Sequence, residues 1–223
     1  MTIAEKLTRT KADIDAVYEA GKSQGDGDEF VSFKNMDSIN YFFTSNTNSY
    51  YFDKLDKLDL SNIKRAQYTF QDTTTITEVK LSLPNVVSIN GMFRRCSNAV
   101  KVELNIPRIS AMTDVFCECT SLKEIIKPLD FSTTRYTSRT FDSCGELEKI
   151  SFTGSIIVGF DIHWSTKLTA ESLESIVTHL SDSVTGQTIT LPTTAQANYD
   201  AVKGSGTWAT LIAPITNWTF AYA

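Results

Sequence analysis

Apolar residues in the middle of the chain recur at a spacing far longer than one helical turn or one strand. Four segments align on an aromatic residue, Phe70, Phe93, Phe116 and Phe141, at spacings of 23, 23 and 25. Six positions later stands Ile76, Ala99, Leu122 or Leu147. Nine later stands Val79, Val102, Ile125 or Ile150, and eleven later Leu81, Leu104, Lys127 or Phe152. A cysteine follows the last three aromatics by three positions: Cys96, Cys119 and Cys144. The shared frame is F-x-x-C-x-x-L-x-x-L-x-L. Lys127 is its one departure in the apolar positions, and there Pro128 follows and the longer spacing begins.

Self-similarity at such a period is the mark of a stacked repeat. In L-x-x-L-x-L a turn leads into a short strand whose apolar side chains alternate inward. One segment cannot bury that edge alone. Stacking at about 4.8 Å per strand makes a continuous core. The frame therefore predicts an α/β solenoid of short parallel strands over 79–83, 102–104, 125–126 and 150–152, with the phenylalanines in an internal column. Turn residues recur between the strands: Leu58-Asp-Leu-Ser, Leu83-Pro-Asn-Val, Ile106-Pro-Arg-Ile and Leu129-Asp-Phe-Ser. The solenoid is expected over 68–164. A degenerate last repeat ends at Trp164, and an earlier one lies around Phe43 to Leu60.

The flanks read differently. Over 2–20, Thr2 and Glu5 form a capping-box pattern, and Ile3, Leu7, Ile14 and Val17 lie on one helical stripe ended by Gly21. The predicted unit is an amphipathic helix over 1–22, followed by a polar linker and an N-terminal cap or degenerate repeat over 23–67. That helix either self-associates or docks, or it folds back to cap the stack. Over 169–181 a second helix is predicted, with Thr169 as cap and Leu173, Ile176, Val177 and Leu180 on one face. A strand at 188–191, a helix over 194–202 and a closing strand at 218–222 complete a C-terminal cap, 165–223.

Composition narrows the partners. Apolar residues make up 41% and charged residues 21%, the balance of an ordered domain. The formal charge of −5 lacks the basic surplus of a generic nucleic-acid binder. No run of about 18 apolar residues is present, so no membrane span is expected. The start Met1-Thr-Ile-Ala-Glu-Lys-Leu lacks the apolar core of a signal peptide. The expected location is a virion or the cytoplasm of the producing cell; a cell-surface location would need an export route.

Chemistry-bearing residues are sparse. The four cysteines, Cys96, Cys117, Cys119 and Cys144, are predicted to be reduced and metal-free. Cys117-x-Cys119 is the competing zinc pattern, but alternation sends the two to opposite faces and no second pair has ligand spacing. His163 and His179 belong to no nucleophile arrangement that spacing can argue. No catalytic residue, metal or cofactor is expected, and so no enzyme.

The outward strand positions carry more information. Eight after each Phe stands Glu78, Lys101, Glu124 or Lys149, alternating in sign; ten after stands Lys80, Glu103, Ile126 or Ser151. This face either binds a partner or neutralises itself across the strands. Lys80, Lys101, Glu103, Glu124, Lys149 and Ser151 are the candidate binding residues. Tyr41, Tyr50 and Tyr51 join them, because Tyr41-Phe-Phe43 and Tyr50-Tyr-Phe52 form an aromatic-rich surface unless they pack as the cap.

The frame F-x-x-C-x-x-L-x-x-L-x-L resembles the BspA-like leucine-rich repeats of bacteria and their phages. Met1-Thr-Ile-Ala-Glu-Lys-Leu and Val17-Tyr-Glu-Ala-Gly-Lys22 are similar to the leader of leucine-rich-repeat proteins from phages and prophages of gut Firmicutes. Residues 160–177 are similar to the segment where that group leaves its repeats for its C-terminal helix. The resemblance spans 1–22 and 68–180. It implies a non-catalytic virion or tail-associated protein whose repeat surface recognises a protein or a cell-surface glycan. For the stripe Ile3, Leu7, Ile14 and Val17, a homo-oligomer is one expectation, beside docking on a partner and capping of the stack. The alternative is a bacterial adhesin or protein–protein interaction module of the same repeat type.

Overall fold

The computed structural model describes residues 36–46, 52, 55–56, 58–107 and 109–223. The helix expected over 2–20, with Ile3, Leu7, Ile14 and Val17, lies outside the described residues, as do Tyr50 and Tyr51. In chain order the elements are β1 (Glu78–Ser82), β2 (Lys101–Asn105), β3 (Glu124–Ile125), β4 (Leu129–Asp130), β5 (Phe152–Thr153), β6 (Phe160–Asp161), α1 (Ala170–Thr178), β7 (Gln187–Leu191), α2 (Ala195–Lys203), α3 (Thr207–Ile212) and β8 (Trp218–Tyr222). The strands form three small sheets, β1-β2-β3, β4-β5 and β6-β7-β8, and every pairing is parallel.

In the first sheet Glu78 lies opposite Lys101 and Lys101 opposite Glu124; a bridge then joins Glu124 to Lys149. The register steps by the repeat spacing, so each strand occupies the same place in its segment. Alternation follows: Val79, Leu81, Val102, Leu104 and Ile125 are buried, while Glu78, Lys80 and Ser82 face outward.

A second parallel ladder runs through the turns, from Ser38 to Arg65, Ser88, Ala111 and Tyr136. It begins well before residue 68, so the periodic stacking starts earlier than the aromatic frame alone shows. Behind each of these bridges the backbone divides its hydrogen bonds. Alternate N–H groups donate within the turn, as Met92 to Ile89 O and Arg94 to Gly91 O do. The intervening ones donate to the next segment: Gly91 to Thr113 O, Phe93 to Val115 O and Arg95 to Cys117 O, at 2.8–2.9 Å. Aiming them so requires a left-handed residue at two fixed places per segment. Tyr41, Tyr68, Gly91, Asp114 and Arg139 occupy one; Ser45, Asp72, Arg95, Glu118 and Ser143 occupy the other. A left-handed non-glycine residue costs roughly 1–2 kcal/mol, which the cross-segment bonds offset.

The phenylalanines stack face to face. Phe43, Phe70, Phe93, Phe116 and Phe141 follow one another at 5.3–5.9 Å between ring centroids, with interplanar angles of 12° or less. Each such pair adds about 0.5–1.5 kcal/mol beyond the area it buries. Phe43 thus belongs to the column, and Phe52 packs edge-on against both Phe43 and Phe70.

One expectation needs correction. The strand expected at 150–152 does not continue the first sheet as a unit. Lys149 bridges Glu124, but Phe152–Thr153 pairs with Leu129–Asp130 in a sheet of its own. Pro128 has no N–H for the ladder, so residues 126–128 loop out and Ile126 is left exposed. Leu129, two positions past Lys127, takes the apolar place that Lys127 vacates.

After Phe160 the stacking gives way. Helix α1 stands where the next strand would be, with Thr169 as N-cap and Ala170, Leu173, Ile176 and Val177 buried. The open sheet edge is closed by side chains. The Ile150 N–H donates to Ser172 Oγ at 3.0 Å and the Phe152 N–H to Ser175 Oγ at 2.9 Å. Strand β7 pairs with β6 on one side and β8 on the other, and the expected helix at 194–202 is α2. Helix α3, preceded by Gly204 and Gly206, is an element the spacing does not predict; Asp200 holds its start by accepting from the N–H groups of Gly206 and Trp208. Among the described residues no helix is long and apolar enough to cross a membrane.

Candidate functional site

Two surfaces gather chemistry. The first is the strand face. The register sets Glu78, Lys101, Glu124 and Lys149 in one row, where Lys149 Nζ lies 3.9 Å from Glu124 Oε1. In the neighbouring row Glu103 is shared between Lys80 at 4.0 Å and Lys127 at 3.8 Å. Lys127 was not among the candidates; the loop at Pro128 swings it to a carboxylate that the frame assigns to other neighbours. Exposed pairs of this kind contribute about 0–1 kcal/mol each and chiefly set register. Lys80, Lys101 and Glu103, with Phe52, Asp56 and Ile126, line an open groove of about 330 Å³. Glu124 and Lys149 pair beside it. Ser151 lies past the loop, where its carbonyl accepts from the Leu129 N–H.

Tyr41 belongs to the turn columns, not to this row. It is half-buried and stacks on Tyr68 at 5.0 Å, and burial together with Tyr68 pushes its hydroxyl pKa up. Gly91 permits this arrangement. Its φ is +59°, and a Cβ there would lie 2.3 Å from the Tyr68 ring. Phe42, Phe43 and Phe52 are buried, so the aromatics described in this region pack mainly into the core.

The cysteines are free thiols. Cys96, Cys119 and Cys144 donate Sγ–H to the carbonyls of Phe70, Phe93 and Phe116 at 3.0–3.1 Å. Thr73 does the same toward Phe43 O at 2.8 Å. The frame's cysteine is therefore a donor position that a hydroxyl also fills, a role the residue spacing did not reveal. Burial pushes Cys96 up to about 12 and raises Cys119 and Cys144 well above the ordinary thiol range. Cys117 lies apart, its Sγ 4.0 Å from Glu118 Oε1, raised by burial and then by Asp114. Among the described residues no group of three or more His, Cys, Asp or Glu is placed to hold a metal. His179 closes α1, its Nδ1 2.8 Å from Ser175 O.

The second surface is a cleft of about 530 Å³ where the turn columns meet the sheet β6-β7-β8. It forms because the left-handed columns end at Arg139 and Ser143 while the chain turns at Gly159 to pair with β7. Gly159 is required there, since a Cβ would come within 2.3 Å of Thr188 O. Its carbonyl accepts from Thr137 Oγ1 at 2.7 Å. Along the walls stand Arg139, Asp142, Asp161, His163 and Trp164, with Thr188 and Thr190 from β7. Asp161 Oδ1 accepts from the His163 N–H at 3.0 Å and lies 2.6 Å from His163 Nδ1. The His163 and Trp164 rings are 4.9 Å apart. Arg139 grips the buried Asp114 with both Nε, 2.8 Å away, and Nη2, 2.9 Å away. Burial, then the neighbouring Asp161, pushes the Asp142 carboxyl up from its ordinary value.

Sequence reasoning placed Trp164 only as a repeat end and His163 only as one of two histidines. It singled out neither Arg139, Asp142 nor Asp161. The available signal was local: Asp161-Ile-His-Trp164 packs polar and aromatic groups tightly at the point where the frame breaks.

No known family's sequence model matches this chain, and no curated protein or solved structure is significantly similar to it.

Proposed function

We propose that the chain is a non-catalytic recognition module, a BspA-like leucine-rich-repeat solenoid with an α+β C-terminal cap, carried by a phage particle or its tail. The observation that carries the reading is the strand face. The repeat lays Glu78, Lys101, Glu124 and Lys149 in a row, with Lys80, Glu103 and Lys127 beside it, at a fixed register. A rigid parallel ladder that displays charged side chains at regular intervals is suited to a macromolecular partner with complementary spacing. The mutual pairing of these charges keeps the face soluble until a partner competes for them.

The stripe Ile3, Leu7, Ile14 and Val17 is the proposed means of attachment, either to a second copy or to the particle. Antibody against the chain, applied to purified particles under the electron microscope, is the test. Labelling at the tail supports the reading. Particles free of the protein, with labelling on the producing cell's surface, replace it by the adhesin. A doubly neutralised variant, Lys80→Gln with Lys101→Gln, avoids opposing like charges in the ladder, so it should fold normally and lose attachment to cells that the native chain binds.

A further inference from the structure

The chain has three tryptophans, and their burial differs sharply. Trp208 and Trp218 are 2% and 6% exposed, and each indole N–H has a partner, Tyr222 Oη and Ser181 O respectively. Trp164 is 49% exposed at the edge of the second cleft. An indole left half in water forgoes much of the stabilisation that burial would give it. Its ring lies 4.9 Å from that of His163, whose backbone and ring both bond Asp161. The result is a flat apolar platform at one side of a cleft whose other walls are polar.

The charge of those walls selects the ligand. Asp142 and Asp161 place two carboxylates in the cleft. The guanidinium of Arg139 is already taken up by Asp114, whose side chain is 8% exposed. An anionic ligand would thus meet two carboxylates, with Arg139 paired to Asp114 and His163 already bonded to Asp161. A hydrophobic peptide would strand those carboxylates and the hydroxyls of Thr188 and Thr190 without partners. A pyranose ring fits both sides. It presents an apolar C–H face to the indole and a rim of hydroxyls that donate to carboxylates, which are strong acceptors. The cleft is open to solvent, and its volume of about 530 Å³ leaves room for a ring stacked on the indole with its outer face in water.

We propose that this cleft binds a neutral saccharide, with one ring stacked on Trp164 and its hydroxyls bonded to Asp161 and Asp142. The proposal rests on the reading of the chain as a recognition module and names a ligand class for it at a site away from the strand face.

Because Trp208 and Trp218 are buried, emission that acrylamide quenches comes from Trp164. The full chain is titrated with maltotriose, cellotriose, mannotriose and tri-N-acetylchitotriose, with sialyllactose as the anionic control. At least one neutral trisaccharide should shield the emission saturably, and sialyllactose should not. By calorimetry Trp164→Ala should abolish binding of that sugar, Trp164→Phe should retain part of it, and Asp161→Asn should weaken it about tenfold. Circular dichroism and melting curves confirm that each variant is folded. Saturable shielding by none of the neutral sugars, a preference for sialyllactose, or a folded Trp164→Ala chain that binds as well as the native one overturns the proposal. A chain carried on particles, or gripping cells through its strand face, that ignores every sugar defeats the cleft alone. Sugar binding by a chain absent from particles defeats the phage placement alone.

Discussion

The periodic segments from Phe43 to Leu147 and the unit from Phe160 to the C-terminus hold themselves together by different means. In the segments one contact is made repeatedly. Each Phe meets the Phe before and after it, and each donor three positions on meets the preceding Phe carbonyl. Beyond Phe160 each contact occurs once: Ser172 on Ile150, Asp200 on Trp208, the Trp208 indole on Tyr222. A repeated contact distributes its energy along the stack, so damage at one level is felt by its neighbours. A contact made once fails locally. The candidate cleft sits on the seam between the two regions, where repetition no longer dictates what each side chain must do.

The largest effect should come from the column. Phe116 is fully buried between Phe93 at 5.8 Å and Phe141 at 5.9 Å. Phe116→Ala should cost about 3–5 kcal/mol in urea unfolding. Hydrogen exchange should quicken at Phe93 and Phe141 as well as at residue 116; a loss confined to one segment would show that the stack is not cooperative.

The seam comes next. Ser172 Oγ accepts from Ile150 N–H and donates to Glu148 O, both at 3.0 Å. Ser172→Ala leaves a buried N–H without its acceptor and should cost about 1–3 kcal/mol. The accompanying sign is faster exchange of the Ile150 amide. An unchanged amide would mean that α1 does not seal the sheet edge.

Asp200 tests the one-off contacts by pH. The Trp208 N–H, with further bonds from Gly206 and Thr207, holds its carboxyl below the ordinary value. A depressed carboxyl contributes stability that is present above its unfolded-state value, about 3.9, and is lost as pH falls through the lower folded value. Asp200→Asn should therefore melt below the native chain at neutral pH, and the gap should close on acidification. A gap that persists unchanged in acid would assign the effect to packing.

The smallest effect is expected at the donor position. Thr73 makes with a hydroxyl the bond that Cys119 makes with a thiol. Cys119→Ser should cost about 1 kcal/mol or less, since the hydroxyl can donate to the Phe93 carbonyl in its place. Thiol titration of the denatured, unreduced native chain should count four. A count near two, or a serine variant several kcal/mol less stable, would contradict the donor role.

Part of this could be read from the residues because it is periodic. Spacings of 23 give the partners of Val79, Val102 and Ile125, and alternation gives their burial. Thr169, Leu173 and Ile176 announce α1 by local capping and a helical stripe. The second ladder, from Ser38 to Tyr136, was hidden because its residues share no side-chain type: Ser, Arg, Ser, Ala and Tyr. Backbone conformation makes that ladder, and the left-handed places tolerate Tyr, Asp, Arg and Gly alike. The first candidate residues, Lys80, Lys101 and Glu103, were legible as outward strand positions and do meet in one groove. Arg139 and Asp142 were not legible beside Asp161 and Trp164, since 19 to 25 positions separate the two pairs and no local pattern joins them.

By itself, then, the order of residues determined what repeats: which side chains point inward, which charges stand in a row and where the stack must change at Pro128. Those properties follow from short-range sterics and burial acting identically in each segment. Tertiary structure alone decided what happens once. It brought Lys127 to Glu103, put two serine hydroxyls on a sheet edge and left Trp164 half in water facing two carboxylates. Such meetings depend on where the chain stands after many residues of three-dimensional path, and no spacing along it encodes that distance.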